Sequence, residues 1–351
     1  MKRFRSAFRR LAPICALVLA PAAAAQPAAG DFEQQFASPY NTITIARKGS
    51  VVEMRARLNA KSREYLESAV KLDEPLRLQV PYTRTLFAGL FLDPDPERVL
   101  MVGLGGGGFH RLFVYAHRQA LLHTVELDPK VLELAEEYMG FRRLDRTPVT
   151  IEDGRVFIKH NDEAWDWIIL DAFRGGFVPP HLKTQEFYQE CAARLAERGV
   201  LITNLHDCTK LFAADLKTLQ SVFPQVALFN TGGRGNVIAC AVKYSEPDIT
   251  DPANWTPVDE LNPRFSGWLP MELIRGERMA WPAATVAGAQ VLTDDFNPVE
   301  MLNAISVNNE TQSPGPRPGN SLPAFVWPSV GAVVVAVAGL VVWRVARGRK
   351  K

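Results

Sequence analysis

Residues 99–111 read VLMVGLGGGGFHR, an apolar run of β-strand character that collapses into glycines and resumes as a helical segment. Gly103, Gly105 and Gly108 satisfy a G-x-G-x-x-G spacing between the two. Glycines at such a turn let backbone amides approach a ligand closely at a helix N-terminus. The spacing alone also fits a strand-to-helix turn that holds nothing, so the neighbouring segments decide the reading. Outward from the loop, short apolar strands alternate with amphipathic helices, the pattern of a parallel sheet covered on both faces. The expected strands are RVLMV (98–102), ALLHTVEL (120–127), VTIED (149–153), WDWIILDAF (165–173) and GVLITNLH (199–206). Between them lie the helical segments PKVLELAEEYMG (129–140) and TQEFYQECAARLAERG (184–199), the second expected to stop at Gly199.

After a helix around residues 211–223, VALFN and NVIACAVKY flank TGGRG as a hairpin. A parallel sheet finished by an antiparallel hairpin predicts an α/β fold of the class I methyltransferase-like (Rossmann-like) type with seven strands, whereas dinucleotide dehydrogenases usually continue in parallel. Residues 31–95 mix short β-like runs, TITIARKG and SVVEMRAR, with the strand-then-helix segment LRLQVPYTRTLFAGLFL, and read as a small β-rich subdomain. The nucleoside-binding domain then spans 96–245, and 246–320 reads as an irregular extension with short helices and a linker, TQSPGPRPGN.

The two ends differ in kind from the body. Residues 1–25 join an Arg/Lys-rich start to an apolar run and an Ala-rich stretch, which predicts a secretory signal cleaved near Ala25, with an uncleaved anchor as the alternative. Residues 321–343 are uncharged and mostly apolar, long enough to cross a bilayer as a helix, with Trp327 and Trp343 near its interfaces and the basic tail 344–351 behind it. A positive tail held in the cytoplasm places the main domain outside it, in the periplasm of a bacterial cell.

Five basic residues lie in the first 25 positions and five in the last eight; removing those ten from 40 leaves 30 basic against 38 acidic residues in the body. An acidic body is a poor match to nucleic acid and tolerates a cationic substrate. Cys15 falls in the leader, and the remaining Cys191, Cys208 and Cys240 are too few and odd in number for a full disulfide framework. Neither cysteines nor histidines show metal-ligand spacing, so no metal is expected.

Glu126 ends the second strand of the series about 20 residues past the glycines, where a carboxylate can accept hydrogen bonds from ribose hydroxyls. The third ends in Glu152-Asp153-Gly154, where Asp153 can meet the amino group of an adenine edge, and the fourth ends in Asp171. Together they place a nucleoside in the crevice at the carboxyl edge of the sheet. The competing reading is that these carboxylates cap helices.

With these motifs in place, residues 38–244 resemble the spermidine synthase (polyamine aminopropyltransferase) family. The resemblance rests on SPYNTITI, VGLGGGG, VELDP, EDGR, ILDAF and the run PHLKTQEFY; LTDDFNPVE (292–300) is similar to a segment of membrane-linked bacterial homologues. It implies that Gly103, Gly105, Gly106, Gly108, Glu126, Asp153 and Gly154 hold the nucleoside of decarboxylated S-adenosylmethionine. Asp171 would be the general base for an amine or polyamine acceptor, with Asn41, Tyr82, Arg174 and Tyr188 on the substrate side. A homodimer is compatible with that family.

The chain also departs from the family pattern. An acid of the glycine loop is replaced by Gly106, a second acid after the catalytic one by Arg174, the lead-in Gln by Asn41, and a Tyr-His-Glu type motif by Tyr82-Thr83-Arg84. Losing two acids bears on selection of the decarboxylated cofactor and on the polyamine cradle more than on the nucleoside pocket. A methyltransferase using intact S-adenosylmethionine and a non-catalytic, membrane-tethered binding protein therefore remain open readings.

Overall fold

The structure, a computed structural model, describes residues 30–298 apart from 175, 176, 233, 234 and 266. The leader 1–25, the linker TQSPGPRPGN (311–320), the apolar run 321–343 and the tail 344–351 lie outside the described residues. Among the described residues no helix is long and apolar enough to cross a membrane.

Four strands open the described residues, β1 (Phe32–Ala37), β2 (Thr42–Lys48), β3 (Val51–Arg57) and β4 (Tyr65–Lys71), paired antiparallel in sequence order. In β3, Val52, Met54 and Ala56 are buried while Glu53 and Arg55 on the opposite face are not, the period of two that a half-buried strand requires. The inner face of this small sheet packs Ile43, Ile45, Val52, Met54 and Val70 against Leu134 and Met139. The short helix α1 (Pro81–Thr85) follows and runs into a tight 3₁₀ turn, Leu86–Phe91, buried throughout.

The main domain then alternates as its sequence pattern dictates: β5 (Arg98–Val102), α2 (Gly108–Ala116), β6 (Leu121–Glu126), α3 (Pro129–Tyr138), β7 (Val149–Ile151), α4 (Gly154–His160), β8 (Trp165–Leu170), α5 (Gln185–Arg194), β9 (Leu195–His206), α6 (Phe212–Val222), β10 (Gln225–Asn230) and β11 (Asn236–Val242). The extension adds α7 (Val258–Phe265), α8 (Met271–Gly276), β12 (Arg278–Met279) and α9 (Ala283–Ala287). The sheet order is β12-β10-β11-β9-β8-β5-β6-β7, with β7 to β9 parallel through β5 and the hairpin β10–β11 antiparallel. Successive residues of the central strands feed opposite cores: Val99, Met101, Trp167 and Ile169 pack on one face, and Leu100, Val102, Ile168 and Leu170 on the other. That two-sided burial is why these strands read as unbroken apolar runs.

Two expectations are corrected. Among the described residues the sheet has eight strands, because Arg278 and Met279 of the extension pair with Phe229 and Leu228 and extend the hairpin edge. An edge strand of two residues carries no periodicity to read. Helix α5 ends at Arg194, and Gly199 lies inside β9, not at a helix stop. The strand is irregular opposite Trp165 and Trp167, and a Cβ at Gly199 would stand 2.9 Å from the Trp165 carbonyl oxygen, so this glycine serves a close backbone approach. The extension itself is part of the core, burying Trp255, Leu261, Phe265 and Ile274 beside Phe87 and Phe91.

Candidate active site

The glycine loop is shaped by what lies behind it. Gly103 has φ of +103°, and a Cβ there would fall 2.4 Å from the Asp171 carbonyl oxygen. Only glycine lets the ends of β5 and β8 approach this closely, and the Asp171 amide donates to the Val102 carbonyl at 3.0 Å. The loop thereby opens a cavity at the carboxyl edge of the sheet. Gly103, Gly105 and Gly108 line it, together with Glu126, Asp128, Asp153, Gly154, Asp171 and Arg174 from the strand ends. The small sheet closes the other side with Tyr40, Asn41, Glu67 and Ser68, and the segment into α1 adds Leu78, Gln79 and Tyr82.

Glu126 is 9% exposed; its Oε2 accepts from the Leu104 amide and its Oε1 from the Asp128 amide, both at 2.9 Å. Burial pushes its carboxyl above the ordinary range while these amides pull it back. Each oxygen keeps a lone pair for a further donor such as a ribose hydroxyl. Asp128 caps α3 through Oδ1 on the Lys130 amide. Asp153 caps α4, its Oδ1 accepting from the Arg155 and Val156 amides at 2.9 and 3.1 Å. Its Oδ2 meets His181 Nε2 at 2.8 Å, a partner that holds the Asp153 carboxyl below the ordinary range. For Asp153, then, helix capping describes the geometry, and any adenine contact has to use what His181 leaves of Oδ2. Gly154 permits close packing, since a Cβ there would meet Val102 Cγ1 at 2.4 Å.

Asp171 is held from two sides: Asn204 Nδ2 donates to Oδ1 at 3.0 Å and Tyr82 Oη donates to Oδ2 at 3.2 Å. Burial pushes its carboxyl up to about 7, against the pull of those donors. A carboxyl poised there is half ionised at neutral pH and can take up a proton. Glu67, which sequence reasoning missed, stands in the same cavity; burial, then the Asp171 and Glu126 carboxylates, push it up to about 8. Asn41 Oδ1, Glu67 Oε1 and Asp128 Oδ2 are buried cavity acceptors with no hydrogen-bond partner among the described residues.

Two site assignments are corrected. Tyr188 is 1% exposed within α5 and lies in the core around a separate small void with Asn204, its hydroxyl bonded to Thr203, so it does not line the cavity. Its place in the chain shortly after β8 misled because α5 turns that face inward. Gly106 also stands off the cavity wall, for a Cβ there would fall 2.5 Å from Met139 Cε and 3.0 Å from Ser68 Oγ. Arg174 lines the cavity as an exposed residue with its guanidinium 5.8 Å from the Tyr40 ring centroid. Among the described residues no cluster of three or more His, Cys, Asp or Glu side chains is arranged to hold a metal ion.

The loop, Glu126, Asp153 and Asp171 lie within residues 81–231, which match the model of the Spermine/spermidine synthase domain. The Polyamine aminopropyltransferase of Vibrio vulnificus (strain CMCP6) is 32% identical over 252 residues, covering 69% of this chain and 82% of that protein. The eEF1A lysine and N-terminal methyltransferase of Bos taurus is 34% identical over 190 residues, 48% of this chain but 27% of that protein. A probable spermidine synthase from Corynebacterium glutamicum ATCC 13032 superimposes with a TM-score of 0.57 at 22% identity, over 77% of this chain and 97% of that one, and shares the Rossmann-like fold. Identity at this level across four-fifths of the Vibrio protein, together with the domain match over 81–231, makes this chain a member of the spermidine synthase (polyamine aminopropyltransferase) family.

Proposed function

We propose that the protein transfers an aminopropyl group from decarboxylated S-adenosylmethionine to an amine acceptor, with Asp171 as general base. The observation that carries this reading is the Asp171 carboxyl itself, at a strand end in the cavity wall, oriented by Asn204 and Tyr82 and pushed up to about 7. The acceptor nitrogen, once freed of its proton, attacks the methylene carbon beside the sulfonium. The C–N bond forms, the C–S bond breaks, and its electron pair leaves on sulfur as the neutral thioether of methylthioadenosine. The proton goes to Asp171. Moving it from an alkylammonium of ordinary pKa to a carboxyl near 7 is uphill by roughly 4–5 kcal/mol. An ammonium has no lone pair, so this transfer precedes attack and its cost is part of the barrier to C–N bond formation.

Glu126 serves the ribose, and the amides of the glycine loop and the α2 start line the nucleoside side. Gly103 and Gly154 act indirectly by letting β5, β8 and α4 close up behind the ligand. Tyr82 and Asn41 face the substrate side, Tyr82 chiefly through Asp171. Among the described residues the unpartnered cavity groups are all acceptors, which favours a cationic, donor-rich ligand over an anionic one.

A second reading, methyl transfer from intact S-adenosylmethionine, draws on the likeness to the Bos taurus methyltransferase and on the missing acid at Gly106. Isothermal titration separates the two with decarboxylated S-adenosylmethionine, intact S-adenosylmethionine and methylthioadenosine. Preference for the decarboxylated form supports aminopropyl transfer, preference for the intact form supports methyl transfer, and binding of none removes both. For the cellular setting we propose the arrangement expected from the sequence, in which 1–25 exports the domain, 321–343 anchors it and 344–351 stays in the cytoplasm, so that the donor has to reach an extracytoplasmic site. Reporters fused after Lys351 and placed after Asn320 should give opposite signals.

A further inference from the structure

Strand β4 lies directly over the glycine loop. A Cβ at Gly105 would fall 3.3 Å from Ser68 Cβ and one at Gly106 would fall 3.0 Å from Ser68 Oγ. Met139 fills the space beside Gly106, with Cε 2.5 Å and Sδ 2.7 Å from that Cβ position, so no acidic side chain fits at 106 without displacing it. The residue before Ser68 is Glu67, whose carboxyl enters the cavity from the sheet side instead.

The other cavity carboxylates are already engaged. Asp171 is held by Asn204 and Tyr82, Glu126 by two backbone amides, and Asp153 by its helix and His181. Asp128 keeps an unpartnered oxygen, but its other oxygen caps α3 beside Glu126. Glu67 has a buried Oε1 without a partner among the described residues and meets only like charge, from Asp171 and Glu126. A buried carboxyl facing two others is a costly arrangement unless a cation completes it.

We propose that Glu67 binds the primary ammonium at the end of the donor's three-carbon chain, and is the residue that favours a decarboxylated sulfonium nucleoside over its carboxylated form. The inference rests on the aminopropyl-transfer reading and adds to it the donor-selecting group. An ammonium supplies the missing donors and the opposite charge in one contact. A carboxylate on the same carbon would be brought against Glu67 and repelled.

The test titrates the full-length protein, wild type and Glu67→Gln, with decarboxylated S-adenosylmethionine, intact S-adenosylmethionine and methylthioadenosine, which lacks the amino chain. Loss of one charge-assisted hydrogen bond is expected to weaken the decarboxylated donor by about 10-fold or more. Methylthioadenosine should bind both proteins alike, within about 2-fold, and the preference for the decarboxylated over the intact donor should narrow by about the factor lost on the former. An unchanged affinity for the decarboxylated donor overturns the role of Glu67 while leaving the nucleoside reading standing if methylthioadenosine still binds. Equal loss of all three ligands also overturns it, since a merely structural effect would do the same, and thermal unfolding of the unliganded variant then reports the folding defect. Failure of wild type to bind any of the three removes this inference together with the reading beneath it.

Discussion

Replacing Tyr82 by Phe removes one of the two protein donors on Asp171, the Oη···Oδ2 contact of 3.2 Å, and leaves Asn204 Nδ2 in place at 3.0 Å. A donor bonded to a carboxylate favours the ionised form, so its removal raises the pKa of Asp171 from about 7. Hydrogen bonds to charged groups contribute about 1.5–3 kcal/mol, and the length of this one places it at the lower end. At about 1.4 kcal/mol per pH unit, the shift is about one unit. Because the base works ionised, kcat should rise with pH and level off above the pKa, with a midpoint near 7 in wild type and about one unit higher in Tyr82→Phe. The assay is formation of methylthioadenosine at saturating donor and amine, using kcat because kcat/KM also carries the ionisation of the free amine. At about pH 6 the variant should be slower by about 10-fold, and at about pH 9 the two should converge. A midpoint that stays put or falls refutes the reasoning. So does an equal loss at every pH, which would assign Tyr82 to substrate binding alone.

Asp171→Asn should abolish transfer while leaving methylthioadenosine affinity nearly unchanged, measured by turnover and titration on the same preparation. Glu126→Ala should weaken nucleoside binding by about 1–3 kcal/mol through lost hydrogen bonds, read as the change in Kd for methylthioadenosine. Glu67→Gln should stabilise the unliganded protein in a pH-dependent way. The folded-state pKa of Glu67 is raised from 4.5 to about 8, so its stability contribution is intact below about pH 4.5 and is lost as pH rises through about 8. The variant should therefore match wild type near pH 5 and exceed it near pH 9, by at most about 5 kcal/mol, in denaturant unfolding. A difference that does not grow with pH contradicts the burial of an unpartnered carboxyl there.

Much of this was legible in the chain because the signals were local. The alternation Val99/Leu100/Met101/Val102 and its echo in Trp167–Leu170 encode a strand buried on both faces, and the glycines that follow mark the turn. Glu126 and Asp171 stood out as acids at the ends of apolar strands, and the cavity brings both to its wall. What escaped depends on contacts far apart in sequence. Glu67 sits in YLESAVK, a strand whose register slips opposite Met54 and Arg55, so no alternation shows which way its carboxyl points. Asn204 reaches Asp171 across 33 positions and Tyr82 across 89, through pairings that only the assembled sheet creates. The role of Asp153 as a helix cap was among the readings the sequence left open, and His181 tipped it by binding the remaining oxygen. Tyr188 was misplaced because a single run, PHLKTQEFY, spans both the cavity wall at Leu182 and a helix face turned into the core.

The central claim is that this cavity joins a sulfonium nucleoside to an amine with Asp171 taking the proton. The most direct measurement is a mass balance on the full-length protein with decarboxylated S-adenosylmethionine and a primary diamine, following both products by mass spectrometry. The account predicts methylthioadenosine and the aminopropylated amine in equal amounts, with neither formed by Asp171→Asn. Turnover of intact S-adenosylmethionine to a methylated amine and S-adenosylhomocysteine, or undiminished turnover by Asp171→Asn, would contradict it.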